Sequence, residues 1–424
     1  MKRRQFLQAA GGAAVLAASA GCASMRGGSQ GKVVVVGGGY GGATAAKYLR
    51  MWSQGTLDVT LVEPNASFVS CPLSNLVVAG SRQMSDITVP YDGLARNHGV
   101  RLVRDSASGI DVERRSLRLA SGASLPYDRL VLSPGVDMVY DSMPGMRSTA
   151  AQEQVPHAWK AGPQTLALQR QLRDMRDGGV VVITIPAAPY RCPPGPYERA
   201  CQVAWYLSRA KPRSKVLILD ANPDVTSKGA LFKKVWAERY KGMVEYRPQF
   251  DTVDVDAAGR TAISELGDRV KADVLNVIPP QRAGAIAVAA RLANMNGRWC
   301  EVDFLTMEST QAKHVHVLGD AIQVAPLMPK SGHMANQHGK VAAAAIVDLL
   351  AGRQPNAMPM MTNTCYSYTS DDEVVHVASV HRYDAGKKTM LTVPGSGGLS
   401  PQPNRMEAGY ANAWATNIWA DSLM

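Results

Sequence analysis

Cysteine is scarce in this sequence, and its spacing excludes two kinds of metal centre. The 424 residues include six cysteines and eight histidines. No two cysteines stand in C-x-x-C or another zinc-ligand spacing, so we expect no zinc site. The sequence also lacks the C-x-x-C-H motif that attaches a c-type haem, which excludes such a haem on this polypeptide.

Two further absences restrict the partners. The 46 lysines and arginines contribute to a net charge of +11, but they are scattered and form no basic run interleaved with aromatic residues. We therefore predict no nucleic-acid binding. The sequence also has no apolar stretch of about 20 residues, the length that crosses a bilayer as a helix, so no integral membrane span is expected.

The N-terminus carries an export signature. Arg3 and Arg4 precede a short stretch of small residues at positions 9–20. A twin-arginine pair before a mildly hydrophobic region resembles a Tat signal, which exports folded, cofactor-loaded proteins. We therefore predict a periplasmic protein whose residues 1–30 are signal and linker. Removal of the signal and a lipid anchor at Cys22 are the two outcomes left open.

Residues 33–42, VVVVGGGYGG, predict a nucleotide-binding turn. The valines indicate a buried parallel strand, and the glycines that follow fit G-x-G-x-x-G. Gly37 permits the tight turn, Gly39 lets backbone amides approach a pyrophosphate, and Gly42 lets the next helix approach the strand. A second strand ends in Glu63, an acid placed to bind a ribose hydroxyl. The pattern predicts a dinucleotide site and does not distinguish NAD from FAD.

A second unit of the same kind lacks its glycine turn. Residues 180–185 and 215–220 predict two parallel strands. The turn after the first of them, residues 186–198, reads PAAPYRCPPGPYE. Proline has no backbone N–H and stiffens the turn, so this segment cannot form an amide cradle for a pyrophosphate. The degenerate turn argues against NAD(P)H as the electron donor, and Cys192 stands in its place.

The later part of the chain favours FAD. Residues 314–321 predict a buried strand that ends in Gly319 and Asp320, where the carboxylate would accept hydrogen bonds from the ribityl chain of a flavin. A helix predicted at about residues 331–350 would point its N-terminus at the flavin ring. Its dipole, together with Lys330, would stabilise the anionic reduced flavin.

These patterns predict an α/β fold with two Rossmann-like domains of the glutathione-reductase type and a C-terminal α+β domain. The FAD-binding domain would be formed by residues 31–150 and 297–355. The second Rossmann-like domain, degenerate for NAD, would be residues 151–296. Residues 356–424 are predicted to form a partner-interface domain.

Several stretches resemble the flavoprotein subunit of flavocytochrome c sulfide dehydrogenase. They extend over nearly the whole chain after the export signature, and the proline-rich cysteine segment is the most specific. Broader relatives of that family are sulfide:quinone oxidoreductases and disulfide reductases, which share the duplicated Rossmann architecture. The matching stretches are KVVVVGGGYGGATAAKYL, SCPLSN, PHAWKAG, PAAPYRCPPGPYERA, IPPQRAG, HVLGDA and NTCYS.

The resemblance implies a role for each of four side chains. Cys71 matches the cysteine that bonds covalently to the 8α-methyl group of FAD, although Pro72 follows it where some members carry an aromatic residue. Cys192 and Cys365 match the redox-active pair held as a disulfide beside the flavin, and Glu198 matches the proposed general base. A structural disulfide and an ordinary acid at a helix N-terminus are the alternative interpretations of these residues.

The resemblance also implies the reaction. Sulfide would be oxidised to sulfur or polysulfide, and the electrons would pass through FAD to a c-type cytochrome subunit that carries the haem. Hydrosulfide is a good nucleophile, and a disulfide offers it an electrophilic sulfur. A sulfide:quinone oxidoreductase, an NAD(P)H-driven disulfide reductase and a non-catalytic flavin-binding or persulfide-carrier protein are the competing functions.

Overall fold

The computed structural model describes residues 30–424, so the export signature and Cys22 lie outside the described residues. Within that range the α-helices are α1 Tyr40–Trp52, α2 Ser74–Val78, α3 Asp92–His98, α4 Thr149–Gln154, α5 Pro163–Asp174, α6 Gly195–Ala210, α7 Gly229–Glu238, α8 Ala285–Ala289, α9 Gly332–Leu350 and α10 Arg405–Leu423. The strands are β1 Lys32–Val36, β2 Asp58–Val62, β3 Ser67–Val69, β4 Thr88–Pro90, β5 Arg101–Val103, β6 Ala107–Asp111, β7 Ser116–Leu119, β8 Ser124–Pro126, β9 Arg129–Leu132, β10 Val136–Met138, β11 Val180–Ile185, β12 Lys215–Asp220, β13 Val244–Arg247, β14 Thr252–Asp256, β15 Thr261–Ser264, β16 Arg269–Lys271, β17 Val274–Val277, β18 Gln281–Ala283, β19 Val302–Asp303, β20 Glu308–Ser309, β21 Val315–Val317, β22 Met360–Tyr368, β23 Val374–Asp384, β24 Thr389–Thr392 and β25 Gly398–Leu399.

The first sheet has the strand order of a dinucleotide-binding domain. Strands β5, β2, β1, β9 and β21 lie side by side in that order and run parallel, and β20 and β19 extend the edge antiparallel. The valines of β1 are buried, as expected for a parallel strand that is covered on both faces. Helix α1 begins at Tyr40, directly after the glycine turn.

The second sheet repeats this topology. Strands β13, β12, β11 and β17 lie in that order and are all parallel. Strands β11 and β12 have the bounds that the apolar runs predict. The order of the four strands matches one half of a Rossmann fold. The predicted α/β architecture of two Rossmann-like domains is therefore confirmed.

The C-terminal part of the chain forms an antiparallel sheet and a long helix. Strand β23 pairs with β22, β24 and β25. Helix α10 contacts the first domain, because Thr44 Oγ1 donates to Ser422 Oγ at 2.9 Å and Lys47 Nζ donates to the carbonyl of Ala420 at 2.8 Å. Among the helices of residues 30–424, none combines the length and apolar character needed to cross a membrane.

Candidate active site

A cavity of about 1290 Å³, measured with its open mouth, lies among loops that follow parallel strands of both Rossmann-like domains, and strand β22 forms a further wall. This position outside the carboxyl ends of the strands is where open α/β sheets bind ligands. The residues that the sequence singled out and that line the cavity are Gly39, Cys71, Cys192, Glu198, Gly319, Asp320 and Cys365.

The three glycines of the first turn have the geometry that the motif requires. Gly37 has a φ of +93°, and an added Cβ would lie 2.4 Å from the carbonyl oxygen of Ser133. A Cβ on Gly42 would lie 1.9 Å from the carbonyl oxygen of Gly37, so only glycine lets α1 approach the strand this closely. At Gly39 a Cβ would meet nothing within 4 Å, and the backbone there faces open space.

Glu63 lies at the edge of the glycine turn rather than in the cavity wall. Its Oε2 accepts a hydrogen bond from the backbone N–H of Gly38 at 2.9 Å. Its Oε1 accepts from the backbone and side-chain nitrogens of Asn65, at 3.0 and 2.7 Å. The carboxylate is half-buried at the end of β2, the position expected for an acid that binds a ribose.

Asp320 has a buried carboxylate oxygen that would accept a hydrogen bond from a ligand. Its Oδ1 is buried and has no hydrogen-bond partner among residues 30–424. Burial raises the pKa of Asp320, and the positive charges of Arg191 and Lys330 oppose this rise. A buried oxygen without a partner is costly unless a ligand donates to it. Together with the open space at Gly39, this oxygen fits a bound flavin dinucleotide whose hydroxyl groups face Asp320.

Helix α9 begins at the cavity, as predicted. Ser331 caps it, because its Oγ accepts from the backbone N–H of Met334 at 3.0 Å. Ser331, Gly332 and His333 all line the cavity. The positive end of the helix dipole therefore faces the cavity, where it would favour an anionic ligand group.

Lys330, the residue predicted to stabilise a reduced flavin, is held by two backbone carbonyls, and its role toward a flavin stays a prediction. Lys330 is buried but does not line the cavity. Its Nζ donates to the carbonyls of Asp320 and Ile322, at 2.9 and 2.5 Å, and lies 3.6 Å from the centre of the Trp299 ring. Burial lowers the pKa of Lys330 to about 7.

The sulfur of Cys71 is surrounded by hydrogen-bond donors. It accepts from the backbone N–H of Ala161 at 3.4 Å and from Arg191 Nη2 at 3.4 Å. The same guanidinium nitrogen also donates to the carbonyl of Trp159. Cys71 lines the cavity, so the sulfur is accessible to a bound cofactor. Donors of this kind stabilise negative charge on an acceptor atom.

Cys192 and Cys365 reach the same cavity from different domains. Cys192 has a φ of +58° in the loop between β11 and α6, and its backbone N–H donates to the carbonyl of Lys330 at 2.8 Å. Cys365 lies on β22. Both are free thiols in this structure. Burial raises the pKa of Cys192 well above its ordinary value, and the charges of Cys365 and Glu198 raise it further.

Glu198 is buried beside this pair. It lies in the first turn of α6, where Oε1 accepts from the backbone N–H of Tyr368 at 2.9 Å and Oε2 accepts from Asn75 Nδ2 at 3.0 Å. Burial raises its pKa, while these hydrogen bonds and the charge of Lys228 oppose the rise. Glu198 is therefore not a solvated surface acid. A buried carboxyl with a raised pKa near a reactive thiol is suited to general acid–base chemistry.

Two cations near the site have no clear signal in the sequence. Arg191 contacts Cys71, and its position immediately before Cys192 in the proline-rich segment could have drawn attention to it. Lys228 donates to the carbonyl of Cys365 at 2.8 Å. It comes from a different part of the chain and belongs to no recognisable motif, so only the folded structure reveals it.

In the second Rossmann-like domain, groups at the expected nucleotide position are hydrogen-bonded to other residues of the chain. In the proline-rich turn, the backbone N–H of Arg191 is bound by Gln281 Oε1 at 2.9 Å. Asp220, the acid at the end of β12, is fully buried and accepts from the hydroxyl groups of Tyr197 at 2.7 Å and Tyr246 at 3.0 Å. Groups that would bind a nicotinamide dinucleotide here are engaged by the chain itself.

Comparison with protein families identifies three matching segments. Residues 165–279 match the central domain of the sulfide dehydrogenase [flavocytochrome c] flavoprotein chain, and residues 357–423 match the flavin-binding domain of flavocytochrome c sulphide dehydrogenase. Residues 31–183 match the pyridine nucleotide-disulphide oxidoreductase family. These matches imply FAD as the cofactor.

Individual relatives agree with these families. The flavoprotein chain of sulfide dehydrogenase from Chlorobaculum thiosulfatiphilum is 61% identical over 38 residues, which are 9% of this chain and 77% of that sequence. The sulfide:quinone oxidoreductase structure from Aquifex aeolicus has a TM-score of 0.75 at 18% identity, over 92% of this chain and 91% of that one. The covalent putidaredoxin reductase–putidaredoxin complex has a TM-score of 0.65 at 18% identity, with coverage of 92% and 93%. At these identities the two structures establish the shared fold.

Proposed function

We propose that this chain oxidises hydrosulfide to sulfur or polysulfide and passes the electrons to a separate c-type cytochrome subunit. The chain belongs to the family of the flavoprotein chain of flavocytochrome c sulfide dehydrogenase, and this membership supports the proposal. Gly39, Asp320 and the N-terminus of α9 would hold FAD. When bound, FAD supplies an acceptor that takes up electrons in pairs and releases them singly. Cys192 and Cys365 would form the redox-active disulfide.

One observation supports this proposal above the others. Cys192 and Cys365, which are far apart in the sequence, line the same cavity as Gly39 and Asp320. A cysteine pair at a flavin site can exchange electrons with both a thiol-reactive substrate and the cofactor. The family match and the position of the two sulfurs therefore point to the same chemistry.

The roles of the side chains follow from their surroundings. Hydrosulfide would attack one sulfur of the oxidised pair, giving a persulfide on that cysteine and a thiolate on the other. Glu198, buried beside the pair, would take up the proton that the sulfur species releases. A persulfide deprotonated in this way is the better nucleophile for adding further sulfur.

Titration of the purified holoprotein with sulfide, with and without cytochrome c, tests the proposal. We expect sulfide to bleach the visible absorption of the flavin and cytochrome c to restore it. Cys192→Ser should retain the flavin and lose the bleaching. Undiminished bleaching in that variant would exclude the disulfide mechanism. Recovery with a soluble quinone but not with cytochrome c would favour a quinone reductase, and the absence of bleaching in the wild type would favour a persulfide carrier.

We further propose that Cys71 carries the flavin covalently. Its sulfur faces the cavity and accepts two hydrogen bonds, and this arrangement suits a nucleophile. Flavin should remain with the acid-denatured polypeptide and should move to the supernatant in Cys71→Ser. Free flavin from the wild-type protein would refute the linkage.

The export signature supports a periplasmic location, where a cytochrome partner would be encountered. We propose that Arg3 and Arg4 direct transport of the loaded flavoprotein. Replacement of both arginines by lysine should leave flavin-loaded protein in the cytoplasm. Unchanged periplasmic yield in that variant would argue against the Tat route.

A further inference from the structure

Lys228 is a buried ammonium group next to the cysteine pair. Only 6% of the residue is exposed, and it does not line the cavity. Its Nζ donates to two neutral acceptors, the carbonyl of Cys365 at 2.8 Å and Ser367 Oγ at 2.8 Å. Among residues 30–424 no carboxylate forms an ion pair with it. The charge is therefore hydrogen-bonded without being neutralised.

Burying the Lys228 ammonium group destabilises the folded protein, which suggests a role for the charge in function. Burial of a charge that forms no close ion pair is unfavourable even when its hydrogen bonds are satisfied. Burial lowers the pKa of Lys228, while the negative charges of Cys365, Glu198 and Cys192 oppose this shift. Of these three charges that of Cys365 acts most strongly, and the proposed reaction would produce it as a thiolate.

The backbone holds Lys228 in this position. Lys228 has a φ of +58° immediately before α7, and its carbonyl accepts from the N–H of Phe232 at 3.1 Å. Its side chain crosses from the second Rossmann-like domain to β22, where both of its acceptors lie. The donor Asn363 Nδ2, on the same strand, lies 3.4 Å from Cys365 Sγ. Lys228 thus bonds to the backbone of Cys365, and the Asn363 amide both donates to its sulfur and accepts from it.

We propose that Lys228 is a positioning residue that makes Cys365 the sulfur displaced when the disulfide is attacked. This assignment rests on the proposed function. Hydrosulfide attacks Cys192 Sγ, a bond forms between these two sulfurs, and the Cys192–Cys365 bond breaks. The electron pair of the broken bond stays on Cys365 as a thiolate, beside the ammonium. The proton of hydrosulfide remains on the Cys192 persulfide or passes to Glu198, so atoms and charge balance.

The surroundings of Cys192 and of Cys365 both favour displacement of Cys365. Burial and the negative charges of Cys365 and Glu198 raise the pKa of Cys192, and the charges of Arg191 and Lys228 only partly oppose this, so Cys192 would be a poor leaving group. Lys228 is bonded to the backbone of Cys365, and no equivalent lysine contact is made to Cys192 among the residues described. The sulfur that leaves most readily is the one whose anion is stabilised.

Substitution of Lys228 in the holoprotein tests the assignment. Lys228→Met removes the charge, Lys228→Gln keeps a neutral donor and Lys228→Arg keeps the charge. Lys233→Met is the matched control, since Lys233 lies on α7, which begins directly after Lys228, and is paired with Asp224 at the surface. The cysteine pair is equilibrated with dithiothreitol or glutathione buffers, quenched, alkylated and counted by mass spectrometry. The rate of flavin bleaching by sulfide is measured separately.

Loss of the charge should disfavour the reduced pair. In the Met and Gln variants we expect the equilibrium constant for reduction to fall about 10- to 100-fold, the effect of one charge-assisted hydrogen bond. This is about 30 to 60 mV for a two-electron couple. The bleaching rate should fall by a similar factor, Lys228→Arg should recover most of both, and Lys233→Met should match the wild type. A folded Gln variant with wild-type equilibrium and rate would overturn the assignment.

A measurement on the wild-type protein keeps the assignment testable if these variants do not fold. After partial reduction by limiting dithiothreitol, a brief pulse of iodoacetamide should label Cys365 before Cys192, because the thiolate is the reactive form. Preferential labelling of Cys192 would overturn it. The thiol equilibrium and the labelling involve no sulfide. A wild type that sulfide fails to bleach would therefore refute the proposed function separately.

Discussion

At the scale of single residues, the surroundings of Cys71 differ from those of Cys201 and Cys300. Cys201 and Cys300 are completely buried, and burial raises the pKa of each to about 12. Cys71 instead opens to the cavity and accepts hydrogen bonds from a backbone amide and from Arg191. These donors would stabilise negative charge on the sulfur of Cys71 when it bonds to the flavin. Arg191 should therefore matter for attachment more than for folding.

We predict that Arg191→Leu lowers the covalently bound fraction of flavin about tenfold, an effect typical of one lost charge-assisted hydrogen bond. The flavin should still bind and should be released by acid. Covalent flavin is measured by in-gel fluorescence and by the mass of the Cys71 peptide. Lys160→Met is the control, because Lys160 is a half-exposed cation near the same segment. Equal covalent fractions in wild type and Arg191→Leu would contradict the prediction.

Glu198 gives a prediction about pH. Its pKa is raised by burial, and the ionised form is the base. The rate of sulfide-dependent flavin reduction should therefore rise with pH through this raised pKa. Glu198→Gln should lower that rate about 100-fold and remove this limb of the profile. Glu238→Gln, on the exposed end of α7, should leave the profile unchanged. A profile of wild-type shape in Glu198→Gln would exclude it as the base.

At the scale of elements, two glycines of the same turn have different predicted roles, one in FAD binding and the other in folding. Gly39 has an ordinary φ of −68°, and a methyl group there would occupy the open space where the pyrophosphate fits. In Gly39→Ala we expect unchanged apoprotein stability and about tenfold weaker FAD binding, a change of about 1.4 kcal/mol. Flavin content and thermal denaturation of the apoprotein measure the two effects.

Gly42→Ala is the matched variant with the opposite expectation. Its methyl group would lie 1.9 Å from the carbonyl oxygen of Gly37, so α1 must move away from β1. We expect a loss of about 1–3 kcal/mol in stability, as for other overpacked sites. A variant at Gly42 as stable as the wild type would show that the helix can shift without cost.

The elements that could be predicted are those with local signals. Buried parallel strands such as β11 are apolar runs, and the helix predicted near residue 331 begins at a serine cap. Tyr410, Trp414 and Trp419 stand four and five residues apart and indicate only the middle of α10, because its cap at Asn404 and its polar ends have no apolar periodicity. Short strands of small antiparallel sheets, such as β14, are half-exposed and carry too few apolar residues to be recognised.

The site was predictable only in part, for the same reason. Gly39, Cys192 and Asp320 stand in motifs, and the fold brings them together. Lys330 directly precedes the predicted helix, but no local pattern shows that its side chain bonds to the carbonyls of Asp320 and Ile322. Lys228 acts on a strand 137 positions away along the chain, and no local pattern encodes such a contact.

At the scale of the whole molecule, buried histidines should make stability depend on pH. Burial lowers the pKa of His157 and His338 to about 3 and that of His316 to about 4. An unfolded histidine titrates near pH 6.5, so the unfolded chain binds more protons than the folded one below that pH. Their contribution to stability is present above about pH 6.5 and is lost as the pH falls toward the folded values.

We predict that the free energy of unfolding falls by about 2 kcal/mol per buried histidine between about pH 7 and pH 5. The raised pKa values of Glu198 and Asp320 oppose part of this loss. Urea denaturation at several pH values measures the slope. His338→Gln, which removes one titrating group and keeps an acceptor for the N–H of Gly319, should give a shallower slope. An unchanged slope would contradict the linkage.

The contact between α10 and α1 has a consequence for biogenesis. Thr44 of α1 binds Ser422 of α10, and 378 residues separate them. At ribosomal speeds of about 5–20 residues per second, Ser422 emerges about 20 to 75 s after Thr44. The contact cannot form before α10 has been synthesised. We therefore expect the helix that follows the glycine turn to reach its final packing only after synthesis of α10.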